Sequence, residues 1–323
     1  MESRKVSVIV PIYGVERFIE QCARSLFEQT YEDIEYVFVD DCTPDESVTI
    51  LQGVLADYPH RVSQVRLIRH ERNRGSGAAR LTGMQHATGE LVMFVDSDDY
   101  IDCECVEKLV ARQEETGADI VDSAYATFSN DTLLSTTHPW VKRPDRNYLR
   151  SILIHNTVTH QVWARIIRRS LFEEAGVSFI EGIDHAEDYS VMARLLLTAK
   201  RATIDDVLYY YRYNDYGTFA DGISKRHITS FLRANGVVCS YIMEHDKGKV
   251  YDTALQVGLL HTYHCALEVG ASRLEAGRYC PAPSRLFARV GMLFARPSLR
   301  KVLRWYYLIV KKLYKVIVLH LKD

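Results

Sequence analysis

"LVMFVDSDDY", residues 91–100, joins five apolar residues to a turn holding three carboxylates and a serine. Leu91–Val95 reads as a short buried strand, and Asp96, Ser97, Asp98 and Asp99 follow without a spacer. Carboxylates resist ionising side by side, so the cluster is unfavourable unless a cation or ligand shares it. The plainer alternative is that the acids only cap the positive N-terminus of the next helix.

The flanking sequence alternates between strand and helix patterns. Upstream, Val6–Val10 is a β-branched run closed by Pro11, and Ile34–Val39 is a second strand. Between them Glu16–Glu28 carries a helical stripe of Phe18, Ile19, Cys22, Ala23, Leu26 and Phe27. "TPDE" then reads as a capping box, with Thr43 as N-cap, Pro44 at N1 and Glu46 at N3. Val65–Ile68 is a third strand and Gly77–His86 a helix; after the fourth strand come a helix over Cys103–Glu115 and a strand over Ile120–Ala126. This order predicts an α/β fold, a mostly parallel sheet with helices on both faces. Ligands of such sheets bind outside the carboxyl ends of the strands. Asp40–Asp41 ends the second strand and Asp96–Asp98 the fourth, so the two acidic groups are expected to converge on one rim.

The second half is less regular. Val162–Ile167 and Ala202–Tyr211 read as strands, Asp188–Ala199 as a helix, and everything from Ile223 onward as helical. A turn at Tyr216–Gly222 divides the chain into residues 1–220 and a helical C-terminal extension, 221–323. There is no internal repeat.

Hydrophobic content of 47% and charged content of 25% describe an ordinary soluble chain. The net charge of -2 conceals an asymmetry: residues 276–322 hold eleven Lys/Arg and no acid, whereas residues 1–275 hold 29 basic groups against 41 acids. No stretch reaches the roughly 20 apolar residues that span a bilayer, and the early strand leaves no room for a signal peptide. The seven cysteines are scattered, and Cys103-x-Cys105 has no second pair. Reduced thiols in the cytoplasm are therefore expected, without zinc.

No G-x-G-x-x-G, P-loop or G-x-S-x-G occurs. An acidic rim argues against nucleic acid as a partner. Carboxylates spaced D-x-D at a strand end suit Mg²⁺ or Mn²⁺, which take oxygen ligands and share them with substrate phosphates. A nucleotide diphosphate is the matching ligand.

The stretch "VSVIVPIYGVERFIEQCARSLFEQTYEDIEYVFVDDCTPDES" and the stretch "NRGSGAARLTGMQHATGELVMFVDSDD" resemble the family 2 glycosyltransferases of GT-A fold, the bacterial enzymes that extend capsule, exopolysaccharide or lipopolysaccharide chains. The ordered motifs VSVIVPIY, Q-T-Y, VDD, N-x-G…A-R, A-x-G-E and D-S-D-D carry the likeness, which weakens through "AEDYSVMARLLL" and "LYYYRYN" to about residue 225. The resemblance implies an inverting, metal-dependent transfer from a nucleotide-sugar to a glycan or lipid-linked saccharide. It places Pro11, Tyr13, Glu16, Asp40, Arg80, Asp96 and Ser97 on the nucleotide and Asp98 on the metal, and makes Asp188 the base, with Glu187 beside it as the rival. Physics agrees: Tyr13 offers a stacking face, Asp40 accepts an imide N–H, and Asp98 is a hard ligand. A core position for Tyr13 and a helix-surface ion pair for Arg80 are the structural alternatives. Arg72, Arg74 and Arg165 are candidates for offsetting phosphate charge. Gly14, Cys42 and Leu81 depart from the usual Asn, Gly and Asn. Two other readings are a sugar nucleotidyltransferase, for which "PIYGVER" lacks the Gly-rich loop, and a non-catalytic partner of the same fold.

The tail has its own pattern. At 100° per residue, Val302, Tyr306, Ile309, Val310, Leu313, Val316 and Ile317 share one side. Arg300, Lys301, Arg304, Lys311, Lys312, Lys315 and Lys322 share another, with Trp305 between. A basic amphipathic helix of this kind is expected on an anionic membrane surface, here the inner face of the cell membrane. Docking on the chain's own domain or on a second copy, as a homodimer, is the alternative.

Overall fold

The structure, a computed structural model, describes residues 4–129, 132–139, 145–155, 159–213 and 224–319. The turn at Tyr216–Gly222, the 220/221 boundary and Lys322 lie outside them. In chain order the elements are β1 (Val6–Ile12), α1 (Ile19–Phe27), β2 (Ile34–Asp40), α2 (Ser47–Ala56), β3 (Val65–Arg69), α3 (Ser76–His86), β4 (Leu91–Phe94), β5 (Tyr100–Ile101), α4 (Cys105–Thr116), β6 (Ile120–Ser129) and β7 (Thr132–Thr137). Then come α5 (Asp145–Leu153), β8 (Arg165–Arg168), α6 (Ser170–Glu174), α7 (Glu187–Leu195), β9 (Arg201–Arg212), α8 (Lys225–His245), α9 (Asp252–Glu268), α10 (Arg273–Ala276), α11 (Leu286–Gly291) and α12 (Arg300–Ile317).

Two compact units result. One comprises residues 1–141, 161–184 and 198–220; the other comprises 142–160, 185–197 and 221–323. The division is not linear, because α5 and α7 associate with the C-terminal helices.

In the first unit the described strands form one sheet in the order β3-β2-β1-β4-β8-β6-β9-β5, with β7 on β6. The first four strands are parallel, as the strand–helix alternation requires. β8 enters antiparallel to both β4 and β6. Helices cover both faces. Val6, Val8, Val10 and Ile12 pack with apolar residues of α1, α2 and α4. Ile9 points the other way, where a Cβ on Gly83 of α3 would come within 2.3 Å of it.

Pro11 does not close the strand; β1 continues to Ile12, with Pro11 paired to Val39 of β2. Its missing N–H costs nothing there. Ile9, two residues back and facing the same edge, accepts the last bond on the β4 side, from the Val95 N–H, so Pro11 faces an edge where β4 has already ended.

The capping box is a second correction. The second helix begins at Ser47, with no side-chain cap from its N-cap residue, Glu46. Thr43 is used otherwise: its hydroxyl accepts the Gly14 N–H at 2.9 Å and donates to Asp45 at 2.6 Å.

Several motif residues are framework. Gln29 of Q-T-Y is buried, donates to the carbonyls of Ser25 and Asp102, and accepts the Val106 N–H. Gly89 of A-x-G-E donates to Ser7, and a Cβ there would lie 2.7 Å from the Lys5 carbonyl. Thr88 and Lys5 converge with Ser7 on Glu35.

In the second unit α12 packs on α9 through Leu303, Tyr307 and Tyr314, which are buried. The side expected to be apolar is a different one. Val302, Ile309, Leu313, Val316 and Ile317 on that side are exposed, as is Trp305 at 69%; only Tyr306 and Val310 are half-buried. The helix thus has two apolar stripes, a narrow one docked and a broader one facing outward beside exposed Lys301, Arg304 and Lys312. Among the described residues no helix is long and apolar enough to cross a membrane.

Candidate functional site

The two acidic strand ends do converge. Ile12 of β1 pairs with Asp40, and Ile9 pairs with Phe94, two residues before Asp96. The two carboxylates therefore flank the end of one central strand, two strand spacings or roughly 10 Å apart.

The adjacent acids Asp40 and Asp41 have different tasks. Asp41 is buried and saturated: His70 Nδ1 lies 2.6 Å away, and the N–H groups of Arg74 and Gly75 donate at 2.9 and 2.7 Å. His70 is fixed in turn by Thr82 of α3 at 2.9 Å. Asp41 thereby holds the loop that leads into α3. Asp40 accepts the Thr43 N–H at 2.8 Å and pairs with Arg69, 3.2 Å away and largely exposed.

The D-S-D-D turn is divided likewise. Arg80 of α3, nearly fully buried, contacts Asp96 at 2.6 Å. This is an ion pair inside the site and not on a helix surface. Ser97 is buried and Asp98 half-exposed. Asp99 is buried beneath them, accepting the Tyr209 hydroxyl at 2.7 Å and the Arg212 N–H at 2.7 Å. Burial, then the neighbouring charges of Asp98 and Asp96, push the Asp99 carboxyl well above the usual range, against those two hydrogen bonds. The Tyr209 hydroxyl also accepts the Asp96 N–H at 3.1 Å. Arg212 donates to the Asp98 carbonyl at 3.0 Å and lies 4.9 Å from the Phe18 ring. Tyr209 and Arg212 are thus the residues that position this turn, and sequence reasoning passed over both. The signal was the aromatic-rich strand "LYYYRYN", in which Tyr209 and Tyr211 pack with the core while Tyr210 stacks on Tyr100.

Tyr13 is 49% exposed and not a core aromatic. Glu16 is also exposed, and its loop is fastened to the segment before α2: Asp45 accepts the Glu16 N–H at 2.9 Å, and Glu16 accepts the Glu46 N–H at 3.3 Å. Gly14 has φ +69° and Cys42 has φ +58°. Both departures fall in the left-handed region, which Gly or Asn occupies at least cost.

The arginine candidates separate. Arg74 is engaged by Glu181 at 2.8 and 3.1 Å. Arg165 is buried in the sheet, 3.3 Å from Asp122, which also pairs with Arg201 at 2.8 Å. Arg165 is therefore a framework residue; Arg72 is exposed. A Cβ on Gly75 would lie 2.1 Å from the Asp184 carboxylate, so the 180–184 loop lies directly on the start of α3.

Pro11, Tyr13, Glu16, Asp40, Arg80, Asp96, Ser97 and Asp98 belong to the first unit; Glu187 and Asp188 belong to the second. These two acids open α7 after Ala186, whose φ is +65°, and both are half-buried. Ser230 of α8 grips His185, two residues before Glu187, accepting its N–H at 3.0 Å and donating to its carbonyl at 2.9 Å.

A family model described as "Glycosyl transferase family 2" matches residues 7–176, more than half of the chain. The chain belongs to glycosyl transferase family 2. Among its relatives, the uncharacterized glycosyltransferase EpsJ of Bacillus subtilis is 36% identical over 65% of this chain, which spans 61% of the length of EpsJ. The crystal structure of S. aureus TarS 1–349 in complex with UDP-GlcNAc has a TM-score of 0.70 at 21% identity, covering 96% of this chain and 91% of that one. The mannosyltransferase PcManGT of Pyrobaculum calidifontis, in complex with GDP-Man and Mn²⁺, has a TM-score of 0.54 at 19% identity, with 98% and 88% covered. At these identities the structural likeness establishes the fold, which is GT-A with a helical C-terminal region.

Proposed function

We propose that the chain transfers a sugar from a nucleotide-sugar, a UDP-sugar in the first instance, to a hydroxyl of a glycan or lipid-linked glycan, with inversion at the anomeric carbon. The observation that carries this reading is the division of labour in the D-S-D-D turn. Arg80 holds Asp96, Tyr209 and Arg212 hold Asp99, and Asp98 stands half-exposed on the rim that also bears Asp40. A turn that only capped a helix would not need a buried arginine and a buried tyrosine to keep its carboxylates crowded.

The donor set fits a hard divalent ion, because the turn offers carboxylate oxygen and no nitrogen or sulfur. Asp98 would hold Mn²⁺ or Mg²⁺; such an ion, when bound, stabilises the charge developing on the leaving diphosphate. Asp40 and Tyr13 are assigned to the base, Asp40 as acceptor for its N–H and Tyr13 as stacking face. Pro11, Glu16 and Ser97 complete the nucleotide set, and Arg80 fixes Asp96 for the ribose. Asp188, with Glu187 as the rival, is assigned to take the proton of the attacking hydroxyl, a contribution of about 10²–10⁴-fold.

UDP release from a panel of UDP-sugars with and without Mn²⁺ tests the reading. Asp98→Ala should abolish turnover in a folded protein, and Mn²⁺-stimulated turnover in that variant would sink the metal assignment. Asp188→Asn should lose turnover and keep UDP binding. An active Asp188→Asn with an inactive Glu187→Gln would exchange the two roles.

We infer further that the outward apolar stripe of α12 lies on an anionic membrane surface, on the cytoplasmic side where a lipid-linked acceptor would be found. Trp305, Ile309, Leu313 and Val316 are exposed together beside the lysines and arginines of the same helix, and each basic residue near such a surface contributes about 1 kcal/mol. Flotation with anionic vesicles should recover the full chain at low salt and less of it at high salt. Equal flotation of Trp305→Ser/Ile309→Ser, or none by the parent, would remove this reading.

A further inference from the structure

We propose that His261, His264 and Cys265 form a second metal site, for a borderline-soft divalent cation such as Zn²⁺, with His155 as its fourth donor. Positions i, i+3 and i+4 share one face of a helix, and on α9 the three residues bring their donor atoms within 4.8 Å of one another. The Cys265 sulfur lies 3.4 Å from His261 Nε2. An N₂S set disfavours the hard ions expected at a carboxylate and suits zinc, which takes four ligands from His and Cys in structural sites.

His155 supplies the observation that packing alone leaves unexplained. It follows α5, and its ring centroid stands 4.8 Å from that of His261. Its Nε2 is buried and makes no hydrogen bond of ordinary geometry, although the Asn235 side chain acts on the ring. Its φ of +50° places a non-glycine residue in the left-handed region, uncommon enough to call for a reason. Glu268 lies 3.4 Å from His264 Nε2, close enough for a carboxylate to orient a ligating histidine through its other nitrogen once the two align.

Three cations lie about the cluster and oppose a metal, Arg300 among them, 3.6 Å from the Glu268 carboxylate. Lys311 donates to the His155 carbonyl at 2.7 Å, and Arg304 acts on His264. The Glu268 carboxylate, and the thiolate that Cys265 would become on binding, offset them. A filled site would tie the segment after α5 to α9 within the second unit. It is a structural clamp, separate in donor chemistry from the ion assigned to Asp98.

Cobalt tests this directly, since thiolate ligation gives Co²⁺ a near-ultraviolet charge-transfer band. Chelator-treated full-length protein titrated with Co²⁺ should develop that band with one equivalent, and Zn²⁺ should abolish it. Cys265→Ser should lose the band, while Cys42→Ser and Cys103→Ser should keep it. Glu268→Gln should weaken binding about 10–100-fold, and His155→Gln should weaken it at least about tenfold. No sulfur–cobalt band in the parent, or a band that survives Cys265→Ser, would overturn the site. If Cys265→Ser fails to fold by circular dichroism, His261→Gln takes its place, and an unchanged affinity there has the same force.

Discussion

Removing one oxygen atom, by Tyr209→Phe, should destabilise the protein and loosen its hold on nucleotide. The Tyr209 hydroxyl is fully buried and bridges two groups of the D-S-D-D turn, donating to Asp99 at 2.7 Å and accepting from the Asp96 N–H at 3.1 Å. The ring itself should not move, because it stacks on Trp163 at 4.7 Å with 16° between planes. Phenylalanine keeps that stack and leaves two buried polar groups each short of a partner. An unsatisfied buried group costs about 1–3 kcal/mol, and Asp99 keeps its bond from the Arg212 N–H, so the combined loss should be about 2–4 kcal/mol. Loss of the hydroxyl should also raise the already elevated Asp99 carboxyl further. Urea unfolding should show a lower midpoint with an unchanged slope, and calorimetry should show weaker UDP binding as the Asp96 backbone shifts. A stability change below about 0.5 kcal/mol with unaltered UDP affinity would refute the bridging role.

Asp40→Ala should weaken UDP binding by about 1.5–3 kcal/mol, the range for a hydrogen bond to a charged group; unchanged affinity by calorimetry would remove Asp40 from the base. Burial would raise Glu35, but hydrogen bonds from Ser7 and Thr88 and the Lys5 ammonium outweigh it and hold the carboxyl at about 2. A depressed carboxyl contributes stability above its unfolded pKa of about 4.3 and loses it as pH falls through the folded value. Glu35→Gln should therefore cost about 1–2 kcal/mol at pH 7, after allowance for solvent screening, and flatten the stability profile between about pH 5 and 2; a parallel profile would contradict this. Cys42→Gly should relieve a left-handed residue at φ +58°. Relief of about 1–2 kcal/mol, less about 0.5–1 kcal/mol of chain entropy, gives a net gain of up to about 1.5 kcal/mol; a loss by urea unfolding would show that the Cys42 side chain is needed.

The rim was legible in the sequence because it depends on order alone. Strand and helix patterns alternate, the strands are parallel, and whatever follows the second and fourth must meet beside the first. Which carboxylate does what was not legible, because the partners that decide it are distant. Asp41 and its histidine are 29 positions apart, and Asp99 and its tyrosine 110. Seen locally, Asp40 and Asp41 are equivalent, as are Asp98 and Asp99. In the fold Asp41 and Asp99 are struts held by several partners, whereas Asp98 is half-exposed and Asp40, though buried, is held only by the Thr43 N–H and an exposed arginine, Arg69. Neither the capping box nor the strand end at Pro11 survived for a related reason. Both rest on single-residue propensities, which yield when tertiary partners claim the group: Asp40 takes the Thr43 N–H, and Gly14 and Asp45 take its hydroxyl. The departures at positions 14 and 42 are backbone matters, since both φ values are positive. They therefore bear on the cost of shaping the loops around Tyr13 and Asp40 more than on the chemistry those loops carry. Motif conformity is thus a mixed signal here. Gln29, Asp41, Gly89 and Asp99 keep the framework in register, and a substitution at any of them should reach nucleotide binding indirectly, through stability or through the placing of the rim turns. Asp40, Asp96 and Asp98 should show the reverse, altering binding or turnover in a protein that still folds.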